Sequence, residues 1–352
     1  MAIPQTYNAA DNPRLTCSER PRMRSHLFRL APAVLLLTVF ALANRAPGEE
    51  VLTGIPATVA SGATLVSVYH DSRFFEGPAW DPKTGKLYFT AFGKVNGQDN
   101  LQILRLDEPN KVTVWLDKTE GVNGMYLAND GRLLGAQAYG HRVLSFAIGD
   151  NGPADTKVLL YDTKLHQPND VAQSPNGDIY FTDPDFANGQ TSAVYVITAK
   201  GDVKTIIDDM QVTNGLKVSN DGRTLYVADD GPMNWRKYSI QADGTVGPGQ
   251  LFFDPPVPKG KRTAPDGMSI DEHGRLYLSG SGGVWVVDQF GVSLGLIPVP
   301  DLPPADGKPR PGFCSNVTFG GVDGKTLYLT CQDHVYSLAM TVRGGQFVRK
   351  NK

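Results

Sequence analysis

Residues 166–183 read HQPNDVAQSPNGDIYFTD, and this stretch decides the fold. A polar residue (Asn169) opens a short strand, Asn176-Gly177 makes a turn, and an apolar strand ends in Thr182-Asp183. The same phrase returns five more times: EGPAWDPKTGKLYFT at 76–90, NGMYLANDGRLLGA at 123–136, NGLKVSNDGRTLYVA at 214–228, DGMSIDEHGRLYLS at 266–279 and NVTFGGVDGKTLYLT at 316–330. The turn glycines fall at 85, 131, 177, 222, 274 and 324, giving steps of 46, 46, 45, 52 and 50. Asn-Gly and Asp-Gly supply the positive φ that tight hairpins need. A period of this size with hairpin chemistry in each copy means small antiparallel sheets repeated around an axis. Six copies predict an all-β fold, a six-bladed β-propeller.

The phase of the repeat points to a site. Counting back eight residues from each turn glycine, or nine in the first copy, reaches Glu76, Asn123, Asn169, Asn214, Asp266 and Asn316. All six carry side-chain oxygens, in residue types depleted from ordinary strands. Glycine follows four of them, at Gly77, Gly124, Gly215 and Gly267, which lets neighbouring backbones crowd together. Arranged about an axis, the six positions form a ring, and a ring of oxygens suits a hard cation or a polar substrate floor. Capping of local turns is the plainer role for any single Asn; six in phase favour a central metal site. Two carboxylates with neutral amide oxygens suit Ca²⁺ or a similar ion. Asp170 is expected on the opposite strand face from Asn169, as a supporting or structural residue.

The 352 residues, with 38 Gly and 25 Pro, suit a turn-rich β domain, and the repeats occupy nearly all of it. Residues 1–43 stand apart. Five arginines precede the apolar run Leu30 to Ala43, which ends Ala41-Leu42-Ala43, the pattern of a secretory signal peptide with its cleavage site. The run is short and contains Pro32, so no stable membrane span is expected after cleavage and the chain reads as secreted or periplasmic. Met23 is an alternative start. Residues 44–65 read as a linker with a possible closing strand over Val51 to Ala60, and residues 66–352 as the propeller. Five Arg against Asp11 and Glu19 make the signal +3, so the rest of a chain of net charge −2 is near −5, which speaks against a nucleic-acid partner. Cys17 leaves with the signal. Cys314 and Cys331 lie about opposite each other across one hairpin, as a disulfide or as two free thiols. Proline-rich loops at Asp254 to Thr263 and Pro298 to Pro311 account for the longer steps. The sequence does not determine the oligomeric state.

No two of the six histidines pair at ligand spacing, and there is no G-x-S-x-G, P-loop or G-x-G-x-x-G. The ring is the constellation left with a stated chemistry. Its motifs, Glu76-Gly-Pro, Pro168-Asn-Asp170, Asn214-Gly-Leu216 and Pro265-Asp-Gly-Met268, resemble the gluconolactonase, senescence-marker-protein and luciferin-regenerating-enzyme family over roughly residues 66–340. The resemblance implies a six-bladed propeller with one axial divalent cation, commonly Ca²⁺ with Zn²⁺ or Mn²⁺ as alternatives, that hydrolyses a small-molecule sugar lactone. It makes Glu76, Asn169, Asn214 and Asp266 the metal shell. Asp266 is also the candidate general base, with metal-bound water as the alternative. Asn123 and Asn316 are added from the phase as substrate-binding or supporting residues. Several members of the family carry an arginine just before the Asn-Asp pair; here the neighbourhood is Lys164-Leu-His-Gln167, so His166 and Gln167 are the candidate substrate contacts. Other readings are a phosphotriesterase-like hydrolase and a non-catalytic binding propeller that uses calcium to hold its blades.

Overall fold

A computed structural model describes residues 54–186, 192–256, 263–305 and 308–348. The signal-peptide expectation for residues 1–43 lies outside them. The described residues form six four-stranded antiparallel sheets, five of them laid down from the innermost strand outward. Strand β1 (Val66–His70) comes first but belongs to the last sheet. Blade 1 holds β2 (Phe74–Asp81), β3 (Lys86–Val95), β4 (Gln98–Glu108) and β5 (Lys111–Asp117). Blade 2 holds β6 (Val122–Leu127), β7 (Leu133–Gln137), β8 (Arg142–Gly149) and β9 (Gly152–Tyr161). Blade 3 is β10 (Val171–Gln173), β11 (Ile179–Asp183), β12 (Ser192–Ile197) and β13 (Val203–Met210). Blade 4 is β14 (Thr213–Val218), β15 (Thr224–Asp229), β16 (Asn234–Ser239) and β17 (Gln250–Phe253). Blade 5 is β18 (Met268–Ile270), β19 (Leu276–Gly280), β20 (Gly283–Val287) and β21 (Ser293–Pro298). A small hairpin, β22 (Leu302–Ala305) and β23 (Lys308–Arg310), precedes blade 6, which is β24 (Asn316–Gly320), β25 (Thr326–Cys331), β26 (His334–Ala339) and then β1. The proline-rich stretch after Pro298 is thus partly a hairpin, and part of the Asp254 to Thr263 loop lies outside the described residues.

The turn chemistry is as the repeat requires. Gly85, Gly131, Gly177, Gly222, Gly274 and Gly324 all sit at φ between 68° and 98°. The Asx residue before the glycine closes the turn through its side chain: Asp221 Oδ1 accepts from Arg223 N at 3.1 Å, and Asp323 Oδ1 from Lys325 N at 3.0 Å.

The ring closes through β1, which pairs antiparallel with β26 and carries a bulge at Val68. This corrects the expected closing strand at Val51 to Ala60. Residues 54–60 contain Gly54 and Pro56, which weaken a ladder, and contribute one isolated bridge, Val59 to Met340. The alternating VSVYH that follows supplies the strand instead.

Apolar side chains fill the seams between blades. The described residues form six buried clusters, each drawn from two adjacent blades. The second strand of each blade is buried on both faces, hence the unbroken apolar runs such as Leu87-Tyr88-Phe89, exposed 1% or less. The recurring tyrosine of that strand packs across or within seams: Tyr277 meets Phe319 edge-on at 4.9 Å, and Tyr328 of blade 6 stacks on Trp80 of blade 1 at 5.6 Å. Such pairs contribute about 1 kcal/mol beyond the area they bury. Cys314 and Cys331 are buried free thiols. The register pairs Asn316 with Thr330, which centres the hairpin on Asp323 and offsets the two cysteines by one residue.

Candidate active site

The six ring positions occupy equivalent places, at or just before the start of each innermost strand. Glu76, Asn169, Asn214, Asp266 and Asn316 are exposed by 8% or less, and Asn123 is half-buried. The glycines beside them explain how the strands converge. A Cβ on Gly77 would lie 2.1 Å from the Asn123 carbonyl oxygen, on Gly215 2.2 Å from that of Asp266, and on Gly267 2.0 Å from the Asn316 amide. Each small residue therefore seats the ring residue of the next blade. Hydroxyls at the ends of second strands brace the ring backbone from behind: Thr90 Oγ1 donates to the Asn123 carbonyl, Ser279 Oγ to that of Gly267, and Thr330 Oγ1 to that of Asn316. Ser315 Oγ joins blade 6 to blade 1 by donating to Phe75 O at 2.7 Å.

Glu76 Oε2 accepts from Gly77 N at 2.6 Å and from Asn316 Nδ2 at 3.2 Å. Burial, helped by the negative charge of Asp170, still pushes its carboxyl up to about 7. Asp266 is raised further above the carboxylate range, by burial first and then by the charges of Glu76, Asp170 and Asp230. Asp170, expected to face away, is buried at 6% exposure and belongs to this group. Its Oδ1 accepts from Val171 N at 2.8 Å and its Oδ2 from Leu216 N at 3.4 Å, yet burial holds it up at about 6. The sequence did carry a signal for it: Asp170 stands where four other copies have glycine.

Asn169 is fixed by its backbone, its N–H donating to Thr182 O and its carbonyl accepting from Gly124 N. Asn316 has both ends of its amide committed, Nδ2 to Glu76 and Oδ1 to Val317 N, which makes it a brace for Glu76. Asn214 turns Nδ2 toward Pro265 O at 3.3 Å and leaves Oδ1 buried without a partner. A buried orphan oxygen costs about 1–3 kcal/mol unless something compensates it. It lies in a ring where the charge of Glu76 repels that of Asp266, and this fits a hard divalent cation held by Glu76, Asn169, Asn214 and Asp266. Among the described residues no three His, Cys, Asp or Glu side chains form a metal-binding group, so such an ion would depend on the amide oxygens.

The mouth above the ring is built by the segments entering the inner strands and by the hairpins between second and third strands. Phe74, at the start of β2, and Phe313, ahead of β24, stack at 6.4 Å, and Tyr139 is 45% exposed on the β7–β8 hairpin. His166 and Gln167 lie on the segment leading into β10, where their backbone N–H groups donate to the two oxygens of Asp183, a residue the repeat pattern did not single out.

Fold and site together define a six-bladed propeller with a buried acidic and amide centre on its axis. Residues 74–333 match the model of the SMP-30/gluconolactonase/LRE-like region, and the chain belongs to that family. A gluconolactonase from Zymomonas mobilis is 29% identical over 300 residues, covering 75% of this chain and 78% of that protein. A gluconolactonase from Xanthomonas campestris superposes with a TM-score of 0.66 at 26% identity, covering 81% of this chain and 92% of that one. Regucalcin from Agrobacterium tumefaciens, described as a calcium-binding protein, shares the fold with a TM-score of 0.60 at 20% identity, over 78% of this chain and 96% of that one.

Proposed function

We propose that this protein is a gluconolactonase-like lactone hydrolase that works with one divalent cation, most simply Ca²⁺, held by Glu76, Asn169, Asn214 and Asp266. The single observation that carries the reading is the unpartnered Asn214 Oδ1 buried among mutually repelling carboxylates on the axis. Family membership and the gluconolactonase relatives support lactone hydrolysis as the activity.

When bound, the cation would polarise the lactone carbonyl and offset negative charge developing on its oxygen. The chain's own residues do the rest. In this reading Asp266, ionised beside the cation, takes a proton from the attacking water. Asn316 and Gly77 N–H hold Glu76 in one orientation. The closely seated strands keep water from approaching the carboxylates from the sides, which strengthens every charge interaction inside. We further propose that the protein is exported, on the basic flank and apolar run of residues 14–43.

The test is acid release from glucono-1,5-lactone, followed with Ca²⁺, with a chelator, and for Asp266→Ala. Cation-dependent release above the spontaneous rate, lost in the variant, is the expected result. Cation-dependent thermal stabilisation with no release from any lactone would replace the hydrolase reading with that of a binding propeller.

A further inference from the structure

A narrow cavity of about 40 Å³, room for a few waters, lies on the propeller axis. All six blades contribute to its wall, which includes Asp170, Asn316, Lys217 and Tyr126. Most wall residues follow the ring positions along the inner strands, so the cavity lies past the ring, on the side away from the mouth. Lys217 of β14 reaches toward β6 and holds its ammonium 4.9 Å from the centre of the Tyr126 ring. The remaining wall residue, Gln346, comes from beyond the last blade, in a single 3₁₀ turn at Gly345–Phe347.

Residues 343–347 cross the face opposite the mouth, where the hairpins between first and second strands lie. Arg343 N donates to Glu272 Oε1, and Glu272 N donates to Arg343 O, both at 2.9 Å, which ties the segment to blade 5. Gly344 N donates to Gly324 O at 3.1 Å on the blade 6 hairpin. Blade 4 is met through Asn220: a Cβ on Gly345 would lie 2.1 Å from its Oδ1. The Phe347 ring packs into the apolar clusters at both seams of blade 6. Between these anchors Gln346 Nε2 donates to Phe319 O at 2.7 Å, on the strand that begins with Asn316. A segment pinned to three blades, with one polar side chain set into the axial cavity, is built to close that cavity. Water entering there would weaken the charge interactions of the buried carboxylates and give a bound ion a second way out.

We propose that residues 343–347 form a strap that seals the axial channel on the face opposite the mouth, with Gln346 as its plug, so that water and cation reach the ring through the mouth alone. The part that concerns the cation rests on the metal-site reading; the seal against water does not.

The test compares wild type, Gln346→Ala and Gln346→Met, the last refilling the space without the hydrogen bond. The first readout is amide hydrogen exchange in chelator, where no cation is needed. Val171 N–H and Leu216 N–H report, since both residues line the cavity and both groups donate to Asp170; the β11–β12 ladder is the reference. Gln346→Ala should speed both reporters about tenfold relative to the ladder, and Gln346→Met should leave them within about twofold of wild type. Reporters that do not change in Gln346→Ala, or that move in step with the ladder, overturn the proposal. Equal acceleration in both variants also overturns it, by assigning the effect to the lost hydrogen bond. The second readout is Ca²⁺ release on stopped-flow mixing with a fluorescent chelator, expected about tenfold faster in Gln346→Ala and near wild type in Gln346→Met. A release rate that Gln346→Ala leaves unchanged overturns the single-entrance claim. If wild type takes up no Ca²⁺, the metal-site reading falls by that result, and the exchange ratio alone decides the seal.

Discussion

Replacing Glu76 by glutamine should stabilise the cation-free protein at neutral pH, although it removes a residue of the site. In the folded chain burial lifts the Glu76 carboxyl from 4.5 to about 7. The folded state therefore binds this proton more tightly than the unfolded chain does. Its contribution is fully present below pH 4.5 and is lost as pH rises through 7. The rise corresponds to about 3 kcal/mol between the two limits. A glutamine side chain there would keep an oxygen for the Gly77 and Asn316 donors and would carry no charge to desolvate. In a chelator at pH 8, Glu76→Gln should melt roughly 5 °C above wild type, and the gap should close as pH falls toward 4.5. Adding Ca²⁺ should reverse the order, because the ion offsets the buried charge in wild type and finds one carboxylate fewer in the variant. Calorimetric melts at four pH values, with chelator and with Ca²⁺, measure all of this. A Glu76→Gln protein that melts below wild type in chelator at pH 8, or a gap that does not change with pH, would refute the reasoning.

Three further outcomes follow from the same geometry. Asp266→Asn, isosteric but unable to accept a proton as a base, should lower kcat/KM for the working lactone by about 100-fold or more while the melt in chelator does not fall. Asn214→Ala removes the unpartnered oxygen and should weaken Ca²⁺ binding, read by calorimetric titration, by about tenfold or more. Gly215→Ala places a Cβ 2.2 Å from the Asp266 carbonyl oxygen, backbone that has no easy way to give, and should cost about 3 kcal/mol or more in urea unfolding.

How much could be read beforehand differs by feature. The blade number follows from the turn glycines, because a positive φ in each hairpin is a local demand that only a few residues meet. The six oxygen-bearing positions at Glu76, Asn123, Asn169, Asn214, Asp266 and Asn316 were legible as a set because equivalent positions in equivalent blades take equivalent places, so phase stands in for distance. The closing strand was misplaced at Val51 to Ala60, since pairing with β26 depends on where the chain arrives after five blades, which no local signal encodes.

The sequence by itself determined the repeat, the turns, the apolar second strands and the oxygen-bearing ring, all of which rest on residue type and spacing. Only the tertiary structure decided which ring oxygens are free to bind. Asn316 and Asn214 are the same residue at the same phase, yet one amide is spent on Glu76 and Val317 while the other leaves Oδ1 unpaired. Asp170 joined the carboxylates, and Asp183 took hold of His166, through contacts that bridge separate strands. Burial and hydrogen-bond satisfaction are properties of surroundings assembled from distant parts of the chain, and no single stretch contains them.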